Sequence, residues 1–138
     1  MTKENRNGPA DSTPLDYKLI VVKAGTSLLT AGTDHLDLDV IAALVGQIAR
    51  LRERGHEVIF VTSGAIAAGR HALGLPQERR GVPFRQVLAA VGQSRLMHTY
   101  EKLFDKNNLT VAQALISRGD IMDREGYLNV RNTLLALL

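Results

Sequence analysis

Lys23, Gly25, Thr26 and Ser27 bring a cation, a flexible backbone position and two hydroxyls together within five residues. Such a set suits phosphate: the ammonium neutralises charge while backbone N–H groups hold the oxygens. Ser63, Gly64 and Ala65 repeat the theme, with a hydroxyl and a glycine where a helix begins. Exposed amides and the helix dipole make that a place for a carboxylate. Each stretch also has an ordinary explanation. The first reads equally as a turn after a strand, with Lys23 reaching to solvent. The second reads equally as a serine capping a helix. Neither is a P-loop or a dinucleotide fingerprint, which need more glycines at fixed offsets.

The elements around them decide whether the two stretches can meet. Leu19, Ile20, Val21 and Val22 form an apolar, mostly branched run, as expected of a strand over Tyr17–Lys23 covered on both faces. A loop, Ala24–Asp34, follows. Leu38, Ile41, Val45, Ile48 and Leu51 recur at helical spacing from a start near Asp37, and Gly55 stands where a helix-ending glycine belongs. His56–Thr62 reads as a second strand, so strand, helix and strand make a βαβ unit with parallel strands. A small-residue helix is expected over Ile66–Leu73, and a basic linker over Gly74–Pro83. Further on come a long helix over Phe84–Asn107, a third strand over Thr110–Ile116 and a last helix capped by Asp123. Val87, Leu88, Val91, Leu96, Tyr100, Leu103 and Phe104 are the expected core of the long helix. The pattern predicts an α/β fold, three-layer αβα with a mainly parallel sheet: three strands with helices on both faces. In such a sheet both turns lie at the carboxyl edge, where ligands bind.

Composition narrows the classes. With 138 residues and 45% hydrophobic content, the chain is long enough for one core. Residues 17–138 read as that domain, and Met1–Asp16, polar and without periodicity, as a disordered leader. There are no cysteines, so disulfide frameworks and thiolate metal sites are excluded. The four histidines show no metal-like spacing, and no residue is assigned to a metal. Asp34, Asp37 and Asp39 gather at a helix start, where the dipole favours acids. A net charge of +3, scattered basic residues and 4% aromatics do not make a nucleic-acid footprint. No apolar run approaches a membrane span. A soluble, cytoplasmic protein is expected.

Longer segments carry a resemblance. Val22-Lys-Ala-Gly-Thr-Ser27, Val61-Thr-Ser-Gly-Ala-Ile-Ala-Ala-Gly-Arg70 and Leu88-Ala-Ala-Val-Gly-Gln-Ser-Arg-Leu96 resemble the glutamate 5-kinase family, of the amino acid kinase fold. So do Gln113-Ala-Leu-Ile-Ser-Arg-Gly-Asp120 and the spaced set Arg124, Tyr127, Asn129, Arg131 and Thr133. The resemblance implies phosphoryl transfer from ATP, with Mg2+, to the γ-carboxylate of L-glutamate. The product is L-glutamyl 5-phosphate, in the first step of proline synthesis. It implies Lys23 as the catalytic residue on the ATP phosphates and Gly25, Thr26 and Ser27 as the phosphate-side loop. Ser63, Gly64 and Ala65 become the glutamate-binding turn. A homo-oligomer and a downstream reductase are the implied partners. The family also has a longer kinase domain, with an aspartate and asparagines expected beyond Leu138, then a nucleotide-binding half and often an RNA-binding-like module. The chain is therefore expected to be an N-terminal portion, inactive by itself. The alternatives are a non-catalytic small-ligand-binding or oligomerisation module and, less in keeping with the spellings, a piece of a bifunctional kinase–reductase.

Overall fold

The computed structural model describes residues 17–75 and 82–138. The expected leader and most of the expected basic linker lie outside them. Two strands, β1 (Leu19–Ala24) and β2 (Glu57–Thr62), pair in parallel with Leu19 opposite Glu57 and Ala24 opposite Thr62. Between them come α1 (Thr26–Leu29) and α2 (Leu38–Glu53), and after them α3 (Ala65–Ala72), α4 (Val82–Asp105), α5 (Arg118–Met122) and α6 (Arg124–Leu137).

The local signals act as their chemistry requires. Asp37 caps α2, its carboxylate accepting from the Asp39 and Val40 amides at 3.0 Å each. Gly55 follows the helix at φ +88°, the left-handed conformation that ends many helices. Asp123 caps α6 through the Gly126 amide at 2.8 Å. Ser117 and Asp120 cap α5 reciprocally, a short helix the periodicity does not announce.

The sheet is covered on one face. Val22, Ala24, Val58 and Phe60 pack with Ile41, Val45 and Ile48 of α2 and with Leu96, Tyr100 and Phe104 of α4. Alternation sends Leu19, Val21 and Lys23 the other way, and Val21 is 60% exposed. A strand buried on both faces is thus corrected to one buried on a single face, because the described residues supply no helix to the second. The parallel α/β class stands, but the third strand does not. Thr110–Ile116 forms no ladder with β1 or β2, and the sheet has two strands. Only Leu109 and Val111 of this region touch the core, whereas Leu115 is 75% exposed. A strand needs a neighbour with free N–H and C=O groups in register, and hydrophobicity alone does not provide one.

In α4, Leu88, Gly92, Leu96, Tyr100 and Phe104 form one buried row at four-residue spacing. Val87, expected in the core, is turned outward. This row carries α3 at very short range. A Cβ on Gly92 would overlap the Ala65 carbonyl, and one on Gly69 would overlap the Leu88 carbonyl. The start of α3 is thereby pressed against the middle of α4. By contrast α5 and α6 pack mainly on each other, and α6 buries no residue.

Candidate functional site

β1 and β2 end side by side, and each ends in one of the two stretches read from the sequence. After Ala24 the chain enters α1 through Gly25, in extended backbone (φ −83°, ψ 163°). The Leu28 and Leu29 amides donate to the Gly25 carbonyl at 3.1 and 3.2 Å. The Thr26 and Ser27 amides precede these bonds, as the first amides of any helix do. Thr26 and Ser27 are exposed. Lys23 is also exposed, on the open face of the sheet opposite Val61.

After Thr62 the second turn is built differently. Gly64, at φ +108°, is the residue before α3, and no side chain caps that helix. The capping role open to Ser63 is therefore not what its hydroxyl does. It donates to the Ala24 carbonyl at 3.3 Å and accepts from the Thr26 hydroxyl at 3.1 Å. Ser63 thus ties the two turns together. The backbone bonds of α3 begin with the Ala68 amide on the Gly64 carbonyl at 2.9 Å. That leaves the amides of Ala65, Ile66 and Ala67 for an anion.

Behind the turn, the Thr62 hydroxyl lies 2.6 Å from the Tyr100 hydroxyl and donates to the Ser63 carbonyl at 3.3 Å. Tyr100 is 2% exposed and meets Phe60 edge-on, with ring centroids 5.3 Å apart. Burial raises its pKa above the ordinary 10.0, the Thr62 bond opposing, so the ring stays neutral and can donate.

A cavity of about 240 Å³ opens beside the turns. Thr26, Thr30 and Asp34 line it from the β1 side, Ile66 and Ala67 from α3, and Arg85 from α4. Arg70 lines it too, together with a neighbouring cavity of about 180 Å³ that His35 and His71 share. The hydrogen bond from His35 at 3.1 Å, chiefly, holds the Asp34 carboxyl below its ordinary 3.8, so it is ionised at neutral pH. Among the described residues, no three His, Cys, Asp or Glu side chains are placed to hold a metal ion. No helix there is long and apolar enough to cross a membrane.

The structure thus brings Thr26 to Ser63 and sets Gly25, Ser27, Gly64 and Ala65 around that contact. Lys23 lies one residue before Ala24, to whose carbonyl Ser63 bonds. Sequence reasoning placed Tyr100 in the core without its hydroxyl contact, and it passed over Thr30 and Arg85. Nothing in a one-dimensional pattern marks a threonine that will be buried beside a cavity.

Known proteins match this arrangement of segments. The chain is 59% identical over 122 residues to the glutamate 5-kinase of Dehalococcoides mccartyi, covering 88% of this chain and 33% of that protein. It is 54% identical over 119 residues to the glutamate 5-kinase of Herpetosiphon aurantiacus, covering 86% and 32%. To the glutamate 5-kinase of Escherichia coli it is 50% identical over 123 residues, covering 89% and 34%. The chain spans about a third of the length of these curated relatives. The sequence profile of the amino acid kinase family matches residues 18–138, and the chain belongs to that family.

Proposed function

We propose that this chain forms the acceptor side of a glutamate 5-kinase site, where the γ-carboxylate of L-glutamate takes the γ-phosphoryl group of ATP. The observation that carries the reading is the Thr26–Ser63–Ala24 hydrogen-bond chain, which holds a candidate phosphate turn against a candidate carboxylate turn. A carboxylate oxygen attacks the terminal phosphorus, the bond to the ADP oxygen breaks, and L-glutamyl 5-phosphate and ADP leave. That reaction asks the protein mainly for alignment and charge neutralisation.

Lys23 is the catalytic cation, and Gly25, Thr26 and Ser27 hold phosphate oxygens. Ser63, Gly64 and Ala65 hold glutamate. Ser63 acts by fixing the turn, and the amides of Ala65 and its successors face the carboxylate. Mg2+ bound to the nucleotide would supply charge neutralisation beside that of Lys23; the described residues bring no cluster of three His, Cys, Asp or Glu side chains to hold it, so the phosphates of the nucleotide would carry it. The same reading makes this the first step of proline synthesis, in the cytoplasm, within a homo-oligomer whose labile acyl phosphate passes to a reductase.

The test is the trapping of acyl phosphate as hydroxamate by the active protein that carries this segment. Lys23→Ala lowers kcat by about a thousandfold, on the scale of a lost charge-stabilising group. A loss below about tenfold removes Lys23 from that role. Calorimetric titration of the chain with L-glutamate, and separately with Mg2+–ATP, separates a catalytic half-site from a plain binding module.

A further inference from the structure

The histidines have no metal-like spacing in sequence, yet the fold brings two of them together. His35 lies in the loop between α1 and α2, and His71 lies in the last turn of α3. Their ring centroids are 5.8 Å apart, with the planes at 34°. Both residues are exposed, and both line the cavity of about 180 Å³ with Asp34, Arg70, Gly74 and Leu75. Neither takes part in the phosphoryl-transfer reading above.

The chemistry of the pair is that of metal ligands. Asp34 is ionised at neutral pH, so its carboxylate only accepts, and His35 donates to it from Nδ1 at 3.1 Å. That bond fixes the tautomer and leaves the Nε2 lone pair for a ligand. A carboxylate behind a histidine is the usual support of a metal-bound imidazole. An ion about 2.0–2.1 Å from one nitrogen of each ring sets the two ring centres roughly 5–6.5 Å apart. The observed separation falls in that window. The loop is held in place, because the Thr33 hydroxyl donates to the His35 carbonyl at 3.1 Å and to the Thr30 carbonyl at 2.7 Å. His71 stands at the carbonyl end of α3, where the dipole favours a cation. Arg70 lines the same cavity, and its charge opposes a divalent ion; the Asp34 carboxylate offsets it.

We propose that His35 and His71 form a two-histidine site for a divalent transition-metal ion of the zinc class, with Asp34 as a positioning residue on His35. Imidazole selects such ions over Mg2+ and Ca2+, which take oxygen ligands. Among the described residues no third His, Cys, Asp or Glu completes the set, so water fills the remaining positions. The expected dissociation constant is on the order of ten micromolar, far weaker than that of a structural zinc site. The bound ion straps the loop after α1 to the end of α3. Asp34 and Arg70, the sequence neighbours of the two histidines, also line the cavity beside the turns, so the ion braces one wall of that cavity.

Calorimetric titration of the full chain with zinc chloride, and with magnesium chloride as the control, tests this. One equivalent of zinc binds, and magnesium at the same concentration does not. Zinc at about a hundredfold excess over its dissociation constant raises the melting temperature by at least about 3 °C. His35→Gln and His71→Gln each weaken zinc binding by about tenfold or more, and Asp34→Asn weakens it by about tenfold. His98→Gln leaves it unchanged. The substituted side chains are exposed, and melts without zinc check that each variant keeps its fold. Absence of binding at millimolar zinc overturns the proposal. So does wild-type affinity in either His35→Gln or His71→Gln, which places the ion on other residues or on a single histidine. Wild-type affinity in Asp34→Asn overturns the positioning role of that carboxylate.

Discussion

The two turns at the sheet edge look alike in sequence and are constrained to very different degrees. The Gly25 turn is exposed and uses ordinary extended backbone, and a Cβ there would touch nothing within 4 Å. The Gly64 turn is buried and left-handed. A Cβ there would lie 3.1 Å from Leu36 and 3.6 Å from Leu29. Behind it stand the glycine crossing of α3 with α4 and the Tyr100–Thr62 hydroxyl pair. The proposed carboxylate-side turn is therefore preorganised by its own core, whereas the proposed phosphate-side turn is joined to it through Ser63, by the bonds to the Thr26 hydroxyl and the Ala24 carbonyl. In the proposed transfer, which depends on alignment, the second turn is then the fixed reference for the first.

The strongest way to break that contrast is at the crossing. Gly92→Ala places a methyl group into the Ala65 carbonyl, and neither backbone can yield without moving α3. A loss of at least about 3 kcal/mol is expected, on the scale of severe overpacking. Urea unfolding measures it, and a loss under about 1 kcal/mol would show that the helices are not held this closely.

A matched pair sharpens it. Gly64→Ala forces a side chain into left-handed backbone against Leu36, for about 2 kcal/mol. Gly25→Ala meets no atom and needs no unusual φ, so its effect stays within about 0.5 kcal/mol. If both glycines proved equally sensitive in thermal melts, the difference between the turns would be lost.

Cutting the link between the turns is a smaller change. Ser63→Ala removes a partly exposed hydroxyl joining Thr26 to the Ala24 carbonyl, at a stability cost of about 1 kcal/mol. Amide exchange is expected to quicken at Thr26 and Ser27 and to stay unchanged in α3. Quickening in both turns alike would mean that the second turn has no support of its own.

The same contrast explains what could be read in advance. The strands β1 and β2, α2 with its Asp37 cap, and Asp123 at α6 were legible because each is set by near neighbours in sequence. Both turns were legible as glycine- and hydroxyl-bearing ends of neighbouring strands, because those residues directly follow the two apolar runs. The third strand over Thr110–Ile116 was misread because apolar alternation does not reveal whether a paired edge is present. The run Leu19–Val22 looked buried on both faces because residue type records an affinity for cover, not the element supplying it. Thr30, Tyr100 and the role of Ser63 depend on contacts across the fold: Thr62 and Tyr100 are 38 residues apart, and Thr26 and Ser63 are 37 apart. No local pattern carries that information.

Tyr100→Phe is the finest test of the supported turn. Its ring is buried against Phe60, so the substitution keeps the packing and deletes only the bond to Thr62. About 1 kcal/mol at neutral pH is expected. The pH dependence adds a second readout. Burial raises the Tyr100 pKa above 10.0, so above that pH the unfolded chain gives up this proton first. The neutral tyrosine's contribution is thus complete below pH 10.0 and is lost as pH climbs toward the raised folded value. Chemical denaturation across that range gives a steeper alkaline loss of stability for wild type than for Tyr100→Phe. Parallel alkaline slopes would place the Tyr100 hydroxyl in contact with water, and the second turn would then lack the dry anchor that distinguishes it from the first.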